Sequence, residues 1–409
     1  MAVEAGGLPL GYNPPAMDTV CYFAERLPLY LEELRALVAI ETPTGDAAGA
    51  ERAADLLTTL LAGLGTVERA PIPEFGPLLR IRRPGKGGRV LLLGHADTVW
   101  PAGSWDVPWL ERGGRAWGPG IYDMKAGLLF LPWLLRWLED SGRDHPDLEI
   151  LLTPDEEKGS TGSRSRILDA AAAADFALVL EPATPLGHLK LARKGSGEFA
   201  IDVVGRPAHQ GVAPEEGVNA VVEAAHQVLR MLELQDAPAG TTVGPNIISG
   251  GSASNTVADR VRIVIDVRAW TERERQRLDA GLRALTPVTA GALLEVRGAW
   301  NRPPMEPSRA AVELFARAQS IGSALGLALE RAAWGGSSDG NLTAASGTPT
   351  LDGLGPVGDG AHTLSEHIVV AELPRRMALL AELVASLAVP PEEWLSADAC
   401  ASLRPRERG

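Results

Sequence analysis

The sequence predicts an α/β protein in which a smaller α+β domain interrupts a larger domain, itself a mixed sheet flanked by helices. Its 409 residues exceed what one hydrophobic core usually organises, so two domains are expected. Short apolar strands alternate with helices through the first half of the chain, which is typical of α/β domains. Residues from about 195 to 300 follow the order strand, helix, strand, strand, helix, strand of a ferredoxin-like module.

Apolar periodicity indicates the elements of the larger domain. Residues 22–64 are predicted to be mostly helical with a break at "TPTGD", and "RVLLLGH" is the first predicted core strand. A glycine-rich turn then leads into the apolar stretch "GLLFLPWLLRWLED", which is too short to span a bilayer and is predicted to be a buried helix. The segments "DLEILLT" and "FALVLEP" are two further strands that end in carboxylates. In open α/β sheets the functional site lies at these carboxyl ends.

The smaller domain begins at "GEFAIDVVG", whose apolar residues alternate as in a strand with one buried face. After it, helical segments through about Ala388 return to the larger domain. The predicted boundaries are 1–194 and 303–389 for the larger domain, 195–302 for the smaller domain, and 390–409 for a flexible tail.

Composition excludes several classes of protein. The net charge of −13 argues against a nucleic-acid-binding surface, which is usually basic. Cys21 and Cys400, the two cysteines, lie near opposite ends and indicate neither a disulfide framework nor a thiolate metal site. The first twenty residues lack the basic region and apolar core of a secretory signal and are predicted to be a flexible lead-in. We therefore expect a cytoplasmic protein that binds neither nucleic acid nor membranes.

The candidate functional residues are acids and imidazoles. If the first strand persisted through Asp97, His95 and Asp97 would point the same way, as a metal-ligating histidine and its supporting acid do. A structural hydrogen-bonded pair is the alternative. Carboxylates and imidazoles without cysteine suit zinc, manganese or cobalt, and two ions could bind if one carboxylate bridges them. The further candidates lie at strand ends or in glycine-rich turns and are Asp123, Glu156, Glu157, Glu181 and His362.

The neighbouring acids Glu156 and Glu157 invite different roles. Adjacent side chains cannot both face one point in regular structure, so one glutamate could ligate metal while the other acts as general base. A solvated charge run is the alternative, but the position directly after an apolar strand argues against it. A serine-hydrolase site at "WGGSSDGN" is disfavoured because the G-x-S-x-G spacing is missing.

Six motifs carry a resemblance to a known family. In order, and over nearly the whole chain, they are "HADTVWP", "GPGIYDMKAG", "DEEKGSTGS", "LEP", "GRPAHQGVAPEEGVNA" and "GPVGDGAHTLSEH". The series resembles the zinc aminoacylase/carboxypeptidase family, which includes bacterial glutamate carboxypeptidase, acetylornithine deacetylase and succinyl-diaminopimelate desuccinylase. The glutamate carboxypeptidase branch is the most similar. The resemblance implies a catalytic domain with two zinc ions, interrupted by a ferredoxin-like lid that often dimerises.

The resemblance also assigns roles to residues of the larger domain. Asp97 would orient a ligand, Glu156 would be the general base, and the peptide bond between Asp123 and Met124 would be cis. The implied metal ligands are His95 and Glu181 for one ion, Glu157 and His362 for the other, and Asp123 as the bridge.

Three residues of the smaller domain match the family's pattern. His209 would reach the partner subunit's site and support the oxyanion, and the motif around it is specific. Asn255 and Arg268 match looser motifs that bind the substrate carboxylate, which suits the two donors of a guanidinium. From the residues alone, each of the three is more often a surface residue.

The expected activity is hydrolysis of the amide bond of a small peptide or N-acylated amino acid with a free carboxylate. The substrate is thus a small molecule or short peptide, and the resemblance implies a homodimer. An N-acyl-amino-acid deacylase, such as an acetylornithine deacetylase-like enzyme, is the alternative activity. A non-catalytic ligand-binding protein on the same fold is the alternative from another class.

Overall fold

The computed structural model describes residues 18–401 and residue 403. The predicted N-terminal lead-in of twenty residues lies outside the described residues up to residue 17, and its end is not flexible, because Asp18 caps a helix that begins at Thr19. Through residue 193 the helices and strands are α1 (Thr19–Val38), α2 (Ala47–Leu60), β1 (Thr66–Ile72), β2 (Gly76–Arg83), β3 (Arg89–His95), β4 (Leu110–Arg112), β5 (Arg115–Trp117), α3 (Ala126–Ser141), β6 (Asp147–Thr153), α4 (Arg164–Ala173), β7 (Phe176–Val179) and β8 (Leu189–Arg193).

The remaining elements form the smaller unit and then complete the larger one. They are β9 (Gly195–Val204), α5 (Ala220–Leu232), β10 (Thr242–Gly250), β11 (Arg260–Ala269), α6 (Glu272–Arg283), β12 (Leu293–Arg302), α7 (Arg309–Ala324), β13 (Arg331–Trp334), α8 (Asp339–Ala345), β14 (Thr350–Leu351), β15 (Gly358–Asp359), β16 (His367–Val369), α9 (Leu373–Ser386) and α10 (Ala397–Cys400).

The larger unit is built on a mixed six-stranded sheet with the order β1-β2-β6-β3-β7-β14. The pairs β6–β3, β3–β7 and β7–β14 are parallel, whereas β1–β2 and β2–β6 are antiparallel. The predicted mixed sheet flanked by helices is confirmed. The β1–β2 hairpin was not predicted, because β1 is an edge strand whose residues are mostly exposed and lack an apolar run.

Strand β3 shows how the sheet is buried on both faces. Val90 and Leu92 belong to the main core, with residues of α1, α3, α7 and α9. Leu91 and Leu93 belong to a second cluster with residues of α4 and α8. Successive side chains of a strand point to opposite faces, so this continuous apolar run is what a strand covered by helices on both sides requires.

A second, four-stranded sheet in the larger unit has the order β15-β16-β5-β4. Trp117 on β5 pairs with His367 on β16, antiparallel to it. The segment after β5 and the connection between β15 and β16 are therefore held side by side. These two segments carry Asp123 and His362.

The smaller unit spans Ala192–Glu306 and Trp334–Ser337. Its sheet has the order β10-β11-β9-β12 with every pair antiparallel, and its core is shared with helices α5 and α6. This is the predicted ferredoxin-like order. The predicted boundaries at 195 and 302 differ from these by three and four residues. The return of Trp334–Ser337 to this unit was not predicted.

The prediction of a flexible tail from residue 390 is wrong for residues up to 401. Trp394 lies against Phe176 with 5.2 Å between ring centroids, and Leu395 and Ala399 are buried in the main core. These apolar side chains hold the segment against the rest of the larger unit. Its last residues form helix α10. Except for residue 403, the end of the predicted tail lies outside the described residues. Within the described part, no helix is both long and apolar enough to cross a membrane.

Candidate metal centre

Three neighbouring strands deliver polar residues to one edge of the main sheet. Strand β3 ends at His95, β6 is followed by Glu156 and Glu157, and β7 is followed by Glu181. Because β6, β3 and β7 are parallel neighbours, their carboxyl ends meet at the same edge. The strand ends therefore gather the predicted ligands in one place.

Asp123 lies between the two histidines of this cluster. Its Oδ1 atom is 3.3 Å from Nε2 of His95, and its Oδ2 atom is 3.4 Å from Nε2 of His362. Nε2 of His95 is also 3.4 Å from Oε1 of Glu181, and Nε2 of His362 is 3.4 Å from Oε2 of Glu157. The five groups thus form two sets that share the Asp123 carboxylate.

These separations fit a metal centre. Ligand atoms at about 2.0–2.1 Å from a tetrahedral zinc ion lie roughly 3.3 Å apart, whereas a typical N–H···O hydrogen bond is about 2.9 Å. In addition, the buried Oε1 atom of Glu157 has no hydrogen-bond partner among the described residues. Buried polar atoms are normally paired, so this oxygen is available to a bound cation.

The charges of the cluster depend strongly on one another. Contact with Asp123 and then Glu157 raises the pKa of His362 to about 11. Burial raises the pKa of Glu157 to about 7. Burial opposes the ionised form of Asp123, but its contacts with His362 and His95 outweigh burial and hold its pKa well below the usual range. In the protein without metal, protons on the imidazoles supply the positive charge that the carboxylates require.

Asp97 connects His95 to the two glutamates. Strand β3 ends at His95, so the condition that it persist through Asp97 is not met, and Asp97 lies in the irregular segment that follows. Nδ1 of His95 is 3.0 Å from the backbone oxygen of Asp97 and 3.4 Å from its Oδ1. The Asp97 carboxylate accepts hydrogen bonds from the backbone N–H groups of Glu156 and Glu157, both at 3.1 Å. Because Nδ1 makes these contacts, Nε2 is the nitrogen of His95 that can bind a metal ion.

Glu156 also reaches the cluster. Glu156 and Glu157 lie in one turn of 3₁₀ helix rather than a strand, so the two side chains approach different parts of the site. Glu156 has a carboxylate oxygen within 4.8 Å of ligand atoms of His95 and Glu181, whereas Glu157 faces Asp123 and His362. The arrangement provides one carboxylate beyond the five expected ligands.

The segments around Asp123 and His362 have unusual backbones. The peptide bond between Asp123 and Met124 is cis, as the resemblance implied. His362 has φ of +62°, a left-handed conformation that non-glycine residues adopt rarely. Its side chain is 51% exposed, so this side of the cluster is open to solvent.

Sequence reasoning missed two residues that organise the site. The Thr44 hydroxyl donates to Oδ2 of Asp97 at 2.7 Å. The fully buried Glu366 accepts hydrogen bonds from the backbone N–H groups of Tyr122 and Asp123 at 2.9 and 3.0 Å. Glu366 lies four residues after His362 in the motif "GPVGDGAHTLSEH", but this spacing in a non-helical segment does not predict its contacts. The donors that Glu366 binds here are backbone N–H groups, which every residue except proline has, so the sequence does not identify them.

Three predicted site residues belong to the smaller unit and are not among the clustered ligands. His209 is exposed, and its Nδ1 accepts the backbone N–H of Gly211 at 3.2 Å. Asn255 is exposed in a loop. Arg268 lies on β11, where its Nε and Nη2 atoms donate to the carboxylate of Asp266 at 2.8–3.1 Å.

An α/β domain that gathers imidazoles around a shared aspartate, and that a ferredoxin-like domain interrupts, is the architecture of a class of metal-dependent peptidases and amidohydrolases. A model of peptidase family M20/M25/M40 matches residues 91–386, and the chain belongs to this family. It is therefore an enzyme of the peptidase or amidohydrolase type, and the family predicted from the motif series is confirmed.

Individual relatives agree with this assignment. Carboxypeptidase G2 from Pseudomonas sp. (strain RS-16) is 33% identical over 393 residues, which cover 90% of this chain and 92% of that protein. Acetylornithine deacetylase from Proteus mirabilis (strain HI4320) is 32% identical over 288 residues, or 65% of this chain and 73% of that protein. The crystal structure of aminopeptidase PepT from Bacillus cereus ATCC 10987 has a TM-score of 0.73 at 24% identity and covers 88% of this chain and 99% of its own, which supports the fold alone.

Proposed function

We propose that the enzyme hydrolyses the amide bond of a small peptide or N-acylated amino acid that bears a free carboxylate, as a glutamate carboxypeptidase does, at a centre of two zinc ions. The observation that carries this proposal is the Asp123 carboxylate, whose two oxygens face two different imidazoles. Cobalt or manganese would suit the same donor set.

The proposed ligands follow the two sets described above. His95 and Glu181 would hold one ion, Glu157 and His362 the other, and Asp123 both. When bound, the two ions would supply an activated water and polarise the carbonyl of the scissile amide. The remaining chemistry belongs to residues of this chain.

Glu156 is the proposed general base. Its carboxylate lies close to the ligand atoms, and the bond from its backbone N–H to Asp97 fixes the turn that carries it. It would take the proton of the attacking water and return it to the leaving nitrogen, a transfer that contributes roughly 10²–10⁴ to the rate. Asp97 would hold His95 in the tautomer that leaves Nε2 unprotonated when metal is bound.

The smaller unit would contribute to substrate binding. His209 would donate to the oxyanion in the partner subunit's site, and Asn255 and Arg268 would bind the substrate carboxylate. Exposure of His209 and Asn255 supports this because both side chains are accessible to a ligand. Arg268 is oriented by Asp266 through Nε and Nη2, and its Nη1 donates to the Ser337 hydroxyl at the long distance of 3.4 Å.

A homodimer formed through the smaller unit is part of the proposal. Apolar side chains on α5 and on the edge strand β10 are exposed: Val221, Val222, Leu229, Ile247 and Ile248. An exposed edge strand beside an apolar helix face is a typical surface for pairing with a second copy.

A cytoplasmic location stays a prediction. Cys21 and Cys400 are not joined by a disulfide bond.

Substrate profiling tests the proposal. The purified enzyme would be supplied with zinc, cobalt or manganese and assayed on dipeptides with C-terminal glutamate and on N-acetylated amino acids. Preference for the glutamyl dipeptides supports a carboxypeptidase. Preference for the N-acetylated substrates supports the alternative deacylase, which the acetylornithine deacetylase relatives favour. Hydrolysis of neither set, with tight binding of a carboxylate ligand, would indicate a binding protein on the same fold.

A further inference from the structure

The buried carboxylate of Glu366 binds the segment that carries Asp123. Its Oε1 atom accepts the backbone N–H groups of Tyr122 and Asp123, and its Oε2 atom accepts the backbone N–H of Gly120 at 3.1 Å and Nε1 of Trp100 at 2.8 Å. Each oxygen thus accepts two donors. A carboxylate is the side chain that can accept four hydrogen bonds and donate none.

Glu366 itself lies on the segment that carries His362. Both residues belong to the connection between β15 and β16, and Glu366 precedes β16 directly. The four bonds therefore join the backbone around the bridging aspartate to the segment of the histidine that faces Oδ2 of Asp123. A shift of Glu366 would change the position of Asp123 relative to His362.

Two other contacts join ligand-bearing segments in the same way. Asp97, beside His95, binds the backbone of Glu156 and Glu157. The Tyr122 hydroxyl donates to the backbone oxygen of Ala183, two residues beyond Glu181. Glu366 adds a third such link, beside the β5–β16 pairing and the contact between Asp123 and His362 themselves.

We propose that Glu366 is a positioning residue for the metal centre, which fixes the bridging carboxylate of Asp123 against His362 and so sets the spacing of the two metal sites. This inference rests on the proposed two-metal function. Glu366 touches neither metal nor substrate in this account. Its effect is exerted through the backbone that it binds, as in other metal sites where outer hydrogen-bonding partners orient the ligands.

The variant Glu366→Gln tests the proposal with little change in shape. Its amide nitrogen cannot accept hydrogen bonds, so two of the four donors would face another donor. We expect zinc, titrated against a competing chelator, to bind about 10–100-fold more weakly at both sites. X-ray absorption of the zinc-loaded protein should show the zinc–zinc distance of the wild type lost or changed.

Glu223→Gln is the matched control. Glu223 is a fully buried carboxylate in the smaller unit that accepts the backbone N–H groups of Val288 and Thr289 and the amide of Gln227. This variant should lower the melting temperature while zinc affinity and the zinc–zinc distance stay as in the wild type. If Glu366 had a merely structural role, Glu366→Gln would likewise lower the melting temperature and leave zinc affinity and the zinc–zinc distance unchanged.

If Glu366→Gln fails to fold, the zinc affinity and zinc–zinc distance of Glu366→Asp test the inference instead. Aspartate keeps the negative charge, but its side chain is one carbon too short to reach all four donors. Wild-type zinc affinity and zinc–zinc distance in the folded variant would overturn the inference. If the wild type itself binds fewer than two zinc ions, the proposed function fails instead, so the two failures are distinguishable.

Discussion

Nε2 of His362 lies 3.4 Å from Oδ2 of Asp123, on the side of the carboxylate that His95 does not face. This contact is the main reason that the pKa of His362 is raised to about 11. In the metal-free enzyme at pH 7, His362 is therefore protonated, although a metal requires the neutral imidazole. Protons would therefore compete with the proposed metal for the same atoms.

Zinc binding should accordingly release protons and strengthen as the pH rises. His362 carries a proton throughout pH 6–8, and Glu157, with a pKa of about 7, changes from mostly protonated to mostly ionised over this range. Calorimetry at pH 6, 7 and 8 in buffers of different ionisation enthalpy would count the protons released. We expect at least one proton at pH 7 and fewer in His362→Ala. Affinity that does not vary with pH, with no proton release, would contradict these assignments.

Glu156→Gln should separate the neighbouring glutamates. Because Glu156 is assigned as base and not as ligand, the variant should bind two metals normally and lose roughly 10²–10⁴ in kcat. Metal analysis and steady-state kinetics on the same preparation measure both quantities. Metal loss, with near-normal turnover once loading is restored, would show that the roles of Glu156 and Glu157 are exchanged.

His209→Ala should lower kcat by roughly 10²–10³, the loss typical of one oxyanion donor. Metal content and the circular dichroism spectrum should stay unchanged, because His209 lies in the smaller unit and is exposed.

Mixing variants shows whether His209 acts across the dimer. Inactive His209→Ala and Glu156→Gln proteins should regain activity together, since one site of a hybrid dimer has both the intact base and the partner's intact histidine. Labelled subunits would verify exchange independently. A monomer at assay concentration, or exchange without recovered activity, would refute the assignment across the dimer.

The sequence predicted the elements that carry a clear apolar pattern and missed those that lack one. The apolar run Val90–Leu93 identified β3 because both of its faces are covered, whereas the exposed edge strand β1 has no such run. The tail was predicted to be flexible because its last residues are charged. Three apolar residues before them, Trp394, Leu395 and Ala399, pack against a core that distant segments form, and the local sequence does not show this.

The site was predictable where its residues stand at strand ends. His95, Glu157 and Glu181 follow apolar strands, and parallel pairing brings such ends together. Residue types do not encode the backbone geometry that brings Asp97 to the N–H groups of Glu156 and Glu157. Nor do they encode the three backbone donors around Glu366.

Zinc content, measured by mass spectrometry after dialysis, tests the two-metal account most directly. Wild-type protein should hold two zinc ions per chain and lose activity on chelation. Asp123→Ala should lose both ions together because its carboxylate faces both ligand sets, whereas Glu157→Ala should empty chiefly one site. A metal-free preparation with full hydrolytic activity, or Asp123→Ala protein that still holds two ions, would contradict the account.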